Sequence, residues 1–334
     1  DLLRLSVATA GNDHRLGANE APPAVISVFL GDELNAVLEA IEQDVPYDGT
    51  KKEKMQLGVH VLPKFSKDTT DRNRTSPFAF TGNKFEFRML GSSNSISCAN
   101  IHLNAAVAEV LRQFADTLEK AEDFNTALHD LIRETIRNHK RIIFNGNGYD
   151  DAWIAEAEKR GLLNLKTTAD AMPHICDEKN VKMLTAHKIF TETEIFSRRD
   201  IMLENYVKSV NIEAVTMVDM ARKEIIPAVA KFTADTASDI ATKKSVVNVA
   251  CTYETSLVEK LSALIDEMDA NTTALEKIIS AFRQESDILS ASALVRDEML
   301  PAMAKLRASA DEAETYTAES YWSFPTYDKL LFGV

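Results

Sequence analysis

The chain has 334 residues, 45% of them apolar and 27% charged, with a formal net charge of −13. That length leaves room for two domains, and the composition is that of an ordinary water-soluble globular protein. The acidic balance argues against a nucleic-acid backbone as partner, which needs clustered Lys and Arg, and no run of about 18 apolar residues offers a membrane span. Cys98, Cys176 and Cys251 are odd in number, widely separated and never spaced CxxC. They read as reduced thiols of a cytoplasmic protein with neither a disulfide framework nor a structural zinc.

In chain order, "DLLRLSVATAG" (1–11) reads as a buried strand with no basic, apolar leader. A strand continuing an upstream fold and a strand at a true terminus fit that pattern equally. The loop "NDHRLGANEAPP" (12–23) then crowds Asp13, His14, Arg15 and Glu20 around Gly17, a density of charge suited to handling an anion. Pro22 and Pro23 precede a predicted amphipathic helix in "AVISVFLGDELNAVLEAIEQD" (24–44), with Val25, Val28, Phe29, Leu34, Val37, Leu38 and Ile41 on one stripe. After a polar stretch around 46–58, "DRNRTSPFAF" (71–80) must be extended before Pro77, and "KFEFRML" (84–90) alternates as a strand. Helices are predicted at about 96–120 and 124–139. "RIIFNGNGYDDAW" (141–153) is an apolar run, a turn at Asn145-Gly146-Asn147-Gly148 and a helix capped near Asp150 that ends at Gly161.

Ten of the eleven glycines lie between Gly11 and Gly161, and the last is Gly333. Turns therefore give way to long helices, continuous from about 192. Leu257, Leu261, Leu264, Met268, Leu275, Ile278 and Phe282 keep a three-four spacing, as do Met299, Met303, Leu306 and Ala310 beyond a break near Leu289–Ser290. We read two antiparallel helices packed along a 3.5-residue seam. Pro227 and Pro301 start or kink helices there.

Several constellations bear on chemistry. On a strand Lys84, Glu86 and Arg88 share one face, opposite Phe85, Phe87 and Met89. That face is either a solvated, self-neutralising surface or a metal-ligating carboxylate between two phosphate-binding cations. Arg72 and Arg74 are placed to hold phosphate bidentately or to decorate a surface turn. The NGNG turn lacks the spacing of a dinucleotide or P-loop motif, and its aspartates favour a helix cap over a phosphate. The seven histidines show no HExxH and no pairing at ligand spacing, and no GxSxG or Cys/His nucleophile arrangement is present.

The order of these pieces is more specific than any one of them. "NDHRLGANEAPP", "DRNRTSPFAFTGNKFEFRMLGSSNS", "IIFNGNGYDDAW" and "AHKIFTETEIFSRRD" resemble the glutamine synthetases, and among them the large type III branch. The resemblance covers most of residues 1–215, and the helical tail is similar to that branch's C-terminal extension. It implies an α+β fold: residues 1–215 as the C-terminal part of a catalytic domain (antiparallel strands plus helices), and 216–334 as an all-helical extension with an antiparallel hairpin.

The implied activity is ATP-dependent condensation of glutamate with ammonia through γ-glutamyl phosphate, with Mg²⁺ or Mn²⁺ bridging phosphate oxygens. By the resemblance Arg15 holds the glutamate substrate, and Glu20 closes the site and helps deprotonate ammonium. Arg74 binds ATP phosphate, with Arg72 as a substitute by spacing. Lys84 stands where several relatives have Arg, keeping the charge without the bidentate fork. Glu86 ligates metal, and Arg88 meets the transferring phosphoryl group. The family's N-terminal β-grasp domain and the strands bearing most metal carboxylates have no counterpart here, so the chain is expected to be a C-terminal portion, inactive alone. Its active sites would lie between neighbouring subunits of a homo-oligomer, a dodecamer of two hexameric rings. Two other readings stand beside this one. Another ATP-dependent carboxylate–amine ligase would share Glu86 and Arg88, and a non-catalytic helical assembly module would account for the tail.

Overall fold

The computed structural model describes residues 1–18, 21–47, 49, 54–55, 65–66 and 76–333. The chain divides into two compact units, Asp1–Arg199 and Asp200–Val334.

The first unit opens with a one-turn helix, α1 (Leu2–Leu5), where the pattern suggested a strand. A helical turn puts Leu2 and Leu5 on one face, three positions apart, and both are buried. It also turns Arg4 inward, 2% exposed, where polar partners await it. A second short helix, α2 (Ala10–Asp13), is capped by the Thr9 hydroxyl, which accepts from Asn12 N–H at 3.3 Å.

The predicted 24–44 helix begins later than its apolar stripe. Residues 21–25 are all buried, and the β-branched run Val25, Ile26, Val28 favours extended chain covered on both sides. Strand β1 (Val28–Phe29) therefore comes first. Gly31, at φ +79°, then makes the turn into α3 (Asp32–Gln43), and Asp32 and Glu33 suit its N-terminal dipole. Strands β2 (Lys54–Met55) and β3 (Phe65–Ser66) pair antiparallel.

Strands β4 (Phe78–Phe80) and β5 (Phe85–Phe87) form a hairpin, and β1 adds to β4 in parallel, giving the order β1-β4-β5. The sheet is thus small and mixed, where antiparallel strands alone were expected. Helix α4 (Ser97–Leu118) buries His102 and Ala105, and α5 (Phe124–His139) is capped by Asp123. Cations at the end of α5 and just beyond it reach the C-terminal end of α3: Arg137 donates to the Glu42 carbonyl at 3.0 Å and Lys140 pairs with the Glu42 carboxylate at 2.7 Å.

The Asn-Gly-Asn-Gly turn has a structural use. Leu30 and Gly31 N–H donate to Asn145 Oδ1 at 3.0 and 3.1 Å, tying the turn to the end of β1. Asp150 caps α6 (Asp151–Lys159) by accepting from Ala152 N–H at 2.9 Å, and Gly161 at φ +70° closes it. Helix α7 (Thr168–Ala171) carries a Thr167/Asp170 capping box, and α8 (Glu178–Ala186) follows.

Long helices make up the second unit, whose first residue, Asp200, lies within the first of them. Helix α9 (Glu192–Met220) runs into a π-turn at Ala221–Ile225 and on into α10 (Ile226–Val246). After α11 (Thr252–Phe282), α12 (Ile288–Leu294) passes through a second π-turn, Val295–Met299, into α13 (Leu300–Tyr316). A short α14 (Tyr327–Phe332) ends the described chain.

Each π-turn lies just before a proline. Pro227 and Pro301 have no N–H and their rings crowd the carbonyl four residues back. Widening by one residue lets Ile226 N–H reach Ala221 O, and Leu300 N–H reach Val295 O, so both helices continue. The break expected near Leu289–Ser290 lies earlier, because Asp287 caps α12 through Ser290 N–H at 2.8 Å.

The seam of α11 is Leu257, Leu261, Leu264, Met268, Thr272, Leu275 and Ile279. Thr272 tolerates full burial because its hydroxyl donates to Met268 O at 2.6 Å. Helix α11 packs against both α10 and α13, so three helices share a core where two were expected. Met299, Met303, Leu306 and Ala310 face inward as their spacing predicted.

Candidate functional site

The β4–β5 hairpin sorts its side chains by pleat. Phe78 pairs with Phe87 and Phe80 with Phe85, and their rings gather on one face; Phe78 and Phe85 stack at 5.6 Å. Ala79 pairs with Glu86 on the other face, which Lys84 and Arg88 share. Gly82 at φ +98° makes the turn, with Thr81 N–H donating to Lys84 O at 2.8 Å. Arg88 N–H donates to Pro77 O at 2.8 Å and fixes the far end. Both flanks of Glu86 are therefore held by backbone.

Lys84 Nζ lies 3.2 Å from Glu86 Oε1, while Arg88 Nη2 and Nε lie 3.1 Å from Oε2. The alternation of charges along the strand is thus realised as one carboxylate gripped by two cations. Hydrogen bonds from Lys84, then Arg88, pull the Glu86 carboxyl below the usual range and keep it ionised. Lys84 is 65% exposed, Glu86 36% and Arg88 17%, so the trio opens to solvent at its Lys84 end.

An ionised, half-exposed carboxylate fits one oxygen ligand of a hard divalent cation. Among the described residues, groups of three ligand-type side chains with donor atoms within 4.8 Å of one another include Asp1, His174 and Asp177, and not Glu86. These residues offer that cation a single arm.

Arg15 sits in the turn after α2 and is exposed. Gly17, at φ +74°, donates its N–H to Pro22 O at 3.0 Å and pinches the loop shut behind it. Glu20, Arg72 and Arg74, the other residues expected at the site, lie outside the described residues.

What sequence reasoning missed is the base of this loop. Asp13 is not part of the exposed charge but is paired with buried Arg4, Nη2 to Oδ1 at 3.2 Å, with side chains 8% and 2% exposed. Thr168 N–H donates to Asp13 Oδ2 at 2.6 Å. Arg4 Nε donates to Leu165 O at 2.7 Å, and Nη2 also to Lys166 O at 3.1 Å. Burial works against both charges, raising the Asp13 carboxyl and lowering the Arg4 guanidinium; their mutual attraction and the Thr168 N–H oppose it. The signal was an arginine inside the apolar run "DLLRLSVATA", which cannot be buried without a partner. Next to Asp13, Asn12 Nδ2 donates to Val7 O at 2.8 Å and reaches Leu90 O at 3.5 Å, two residues beyond Arg88. The segments bearing Arg15 and Arg88 are stitched together at their roots.

A hollow of about 430 Å³ lies elsewhere in this unit, bordered by α3, α5, Phe144, Gly146 and Arg160. Its cations are already neutralised, Lys140 by Glu42 at 2.7 Å and Arg160 by Glu156 at 2.8 Å.

Comparison with known proteins matches residues 127–244 to the glutamine synthetase C-terminal domain family. Over 339 residues the chain is 40% identical to a glutamine synthetase of Butyrivibrio fibrisolvens, covering all of this chain and 48% of that protein. It is 37% identical over 340 residues to a type-3 glutamine synthetase of Dictyostelium discoideum, covering 99% and 46%. A glutamine synthetase of Bacteroides fragilis (strain YCH46) is 35% identical over 346 residues, covering 99% and 47%. The chain spans about half the length of these relatives.

Proposed function

Because the chain belongs to the glutamine synthetase family, we propose that it supplies part of an active site joining glutamate to ammonia at the expense of ATP. The observation that carries this reading is the Lys84–Glu86–Arg88 face, a carboxylate held ionised between two cations on a backbone-fixed strand. Phosphoryl transfer asks for little covalent help from a protein; it needs positioned charge. In this proposal Arg88, and Lys84 and Arg74 with it, hold phosphate oxygens, Arg15 holds the glutamate carboxylate, and Glu20 receives a proton from ammonium. Glu86 would hold a divalent cation, Mg²⁺ or Mn²⁺, which would supply neutralisation of phosphate charge. In this proposal Glu20 also helps to screen the acyl phosphate from water while ammonia attacks.

We further propose that residues 1–215 are the C-terminal part of the catalytic domain and 216–334 a helical extension acting in assembly. The remaining ligands would come from the other half of such an enzyme and from neighbouring subunits in paired hexameric rings. Free thiols at Cys98, Cys176 and Cys251 suit a reducing cytoplasm, and among the described residues no helix is long and apolar enough to cross a membrane. The test is phosphate release from ATP with glutamate plus ammonia, compared with glutamate plus other amines. Release coupled one-to-one to glutamine supports the reading, and equal or greater release with another amine moves the chain to a different carboxylate–amine ligase.

A further inference from the structure

Four separate segments meet beneath the Arg15 loop, and their meeting point is a pair of charges removed from water. Asp13 belongs to the last turn of α2, directly before His14 and Arg15. Its two oxygens are divided: Oδ1 faces Arg4 at 3.2 Å and Oδ2 accepts from Thr168 N–H at 2.6 Å. Arg4 in turn fastens to the carbonyls of Leu165 and Lys166. Asn12, one residue back, bridges toward Leu90 beyond β5. A surface loop needing only to cover the core would not bury an ion pair, since burying both charges is costly and an apolar pair of the same size would pack as well. What buried, doubly hydrogen-bonded charges provide is a fixed geometry, because any shift leaves a charge unpaired in a dry place.

We propose that Asp13 and Arg4 are positioning residues of the active site: they fix the root of the loop that carries Arg15 against the Leu165–Thr168 segment, so that Arg15 keeps its place relative to the Lys84–Glu86–Arg88 face. This rests on the proposed glutamine synthetase reading. Neither residue touches substrate. Their effect passes through the backbone to Arg15 next door. Looseness at the root displaces a carboxylate-binding arginine and opens the acyl phosphate to water, and a misplacement of about 1 Å is enough to cost about a hundredfold in rate.

The experiment compares three variants of the native enzyme for glutamate KM, kcat and the ratio of phosphate released to glutamine formed. Asp13→Asn keeps an oxygen for Thr168 N–H and removes the charge facing Arg4. Thr168→Pro removes the N–H at the first residue of α7, a position where proline is favoured, after a Thr167 already extended at φ −115° and ψ 164°. Leu184→Ala empties a fully buried site on α8 and serves as a control for lost stability alone. Assays run below the melting temperature of each variant.

The expected result is a rise of about tenfold or more in glutamate KM, and excess phosphate per glutamine, in both loop-root variants and not in the control. If both variants melt lower but match the control in KM and coupling, Asp13 and Arg4 are structural only and the inference is overturned. Should Asp13→Asn fail to fold, Thr168→Pro decides by the same readout. Wild-type enzyme that forms no glutamine would overturn the functional reading instead, a different outcome from either.

Discussion

The rings of Phe144 and Trp153 lie almost parallel, 9° apart, with centroids separated by 3.7 Å. The stack joins the apolar run before the Asn-Gly-Asn-Gly turn to helix α6, and Trp153 packs with Val25 and Ala157 in a buried cluster. Gly146 is what permits it: a Cβ there would come within 2.5 Å of Phe144 Cζ. Gly146→Ala is therefore expected to push Phe144 off Trp153 and to destabilise the first unit by about 1–3 kcal/mol, the usual cost of overpacking. A lowered urea midpoint together with altered tryptophan fluorescence checks this; an unchanged midpoint would mean that the ring moves aside at no cost.

Leu264 is 6% exposed in the middle of the α11 seam. Leu264→Asp would place a carboxylate against that seam, and none of its neighbours there, Leu261, Met268 or Leu257, offers a partner. A loss of more than about 3 kcal/mol is expected from burying an unpaired charge. The readout is the helical signal in circular dichroism on heating. A variant that melted like the wild type would place position 264 outside the packed face.

His102, 3% exposed on α4, is held neutral mainly by burial, and its pKa falls to about 4. Its Nδ1 has no hydrogen-bond partner among the described residues. In the unfolded chain the same ring titrates near 6.5, so the folded state binds fewer protons between these values. The stability His102 leaves intact is full above about pH 6.5 and is lost as pH falls through about 4, by up to about 3 kcal/mol. Urea midpoints measured from pH 7 to 4 should fall less steeply in His102→Gln than in the wild type, and parallel curves would contradict this.

How much of this was visible beforehand differed between the two units, for physical reasons. The three-four spacing of Leu257, Leu261, Leu264 and Met268 survives in the structure because long helices are governed by local periodicity. Ile279 took the place expected of Ile278 because both a three-residue and a four-residue step from Leu275 end on an isoleucine, and hydrophobicity does not choose between them. The start of the chain and residues 24–31 misled for the opposite reason. Short apolar runs fit a strand or a helix equally, and there tertiary partners, Arg4 reaching for Leu165 O and Val28 pairing with Phe78, decided the outcome. At the site, the face shared by Lys84, Glu86 and Arg88 was legible because pleat geometry fixes it. The Arg4–Asp13 anchor was not, since its closing contacts come from residues more than 150 positions away.

The central claim is that Glu86 works as a metal-holding carboxylate in glutamine formation, beyond neutralising Lys84 and Arg88. The most direct measurement is the rate of glutamine formation as a function of Mg²⁺ concentration for Glu86→Gln in the native enzyme. Because Glu86 is half-exposed and its ion pairs open to solvent at Lys84, their loss should cost little stability, and a kinetic effect will not reflect unfolding. The account predicts a half-saturating Mg²⁺ concentration raised by at least about tenfold, with kcat lowered even at saturating metal. Wild-type turnover with wild-type Mg²⁺ dependence would contradict it, and would leave the Lys84–Glu86–Arg88 face a solvated surface.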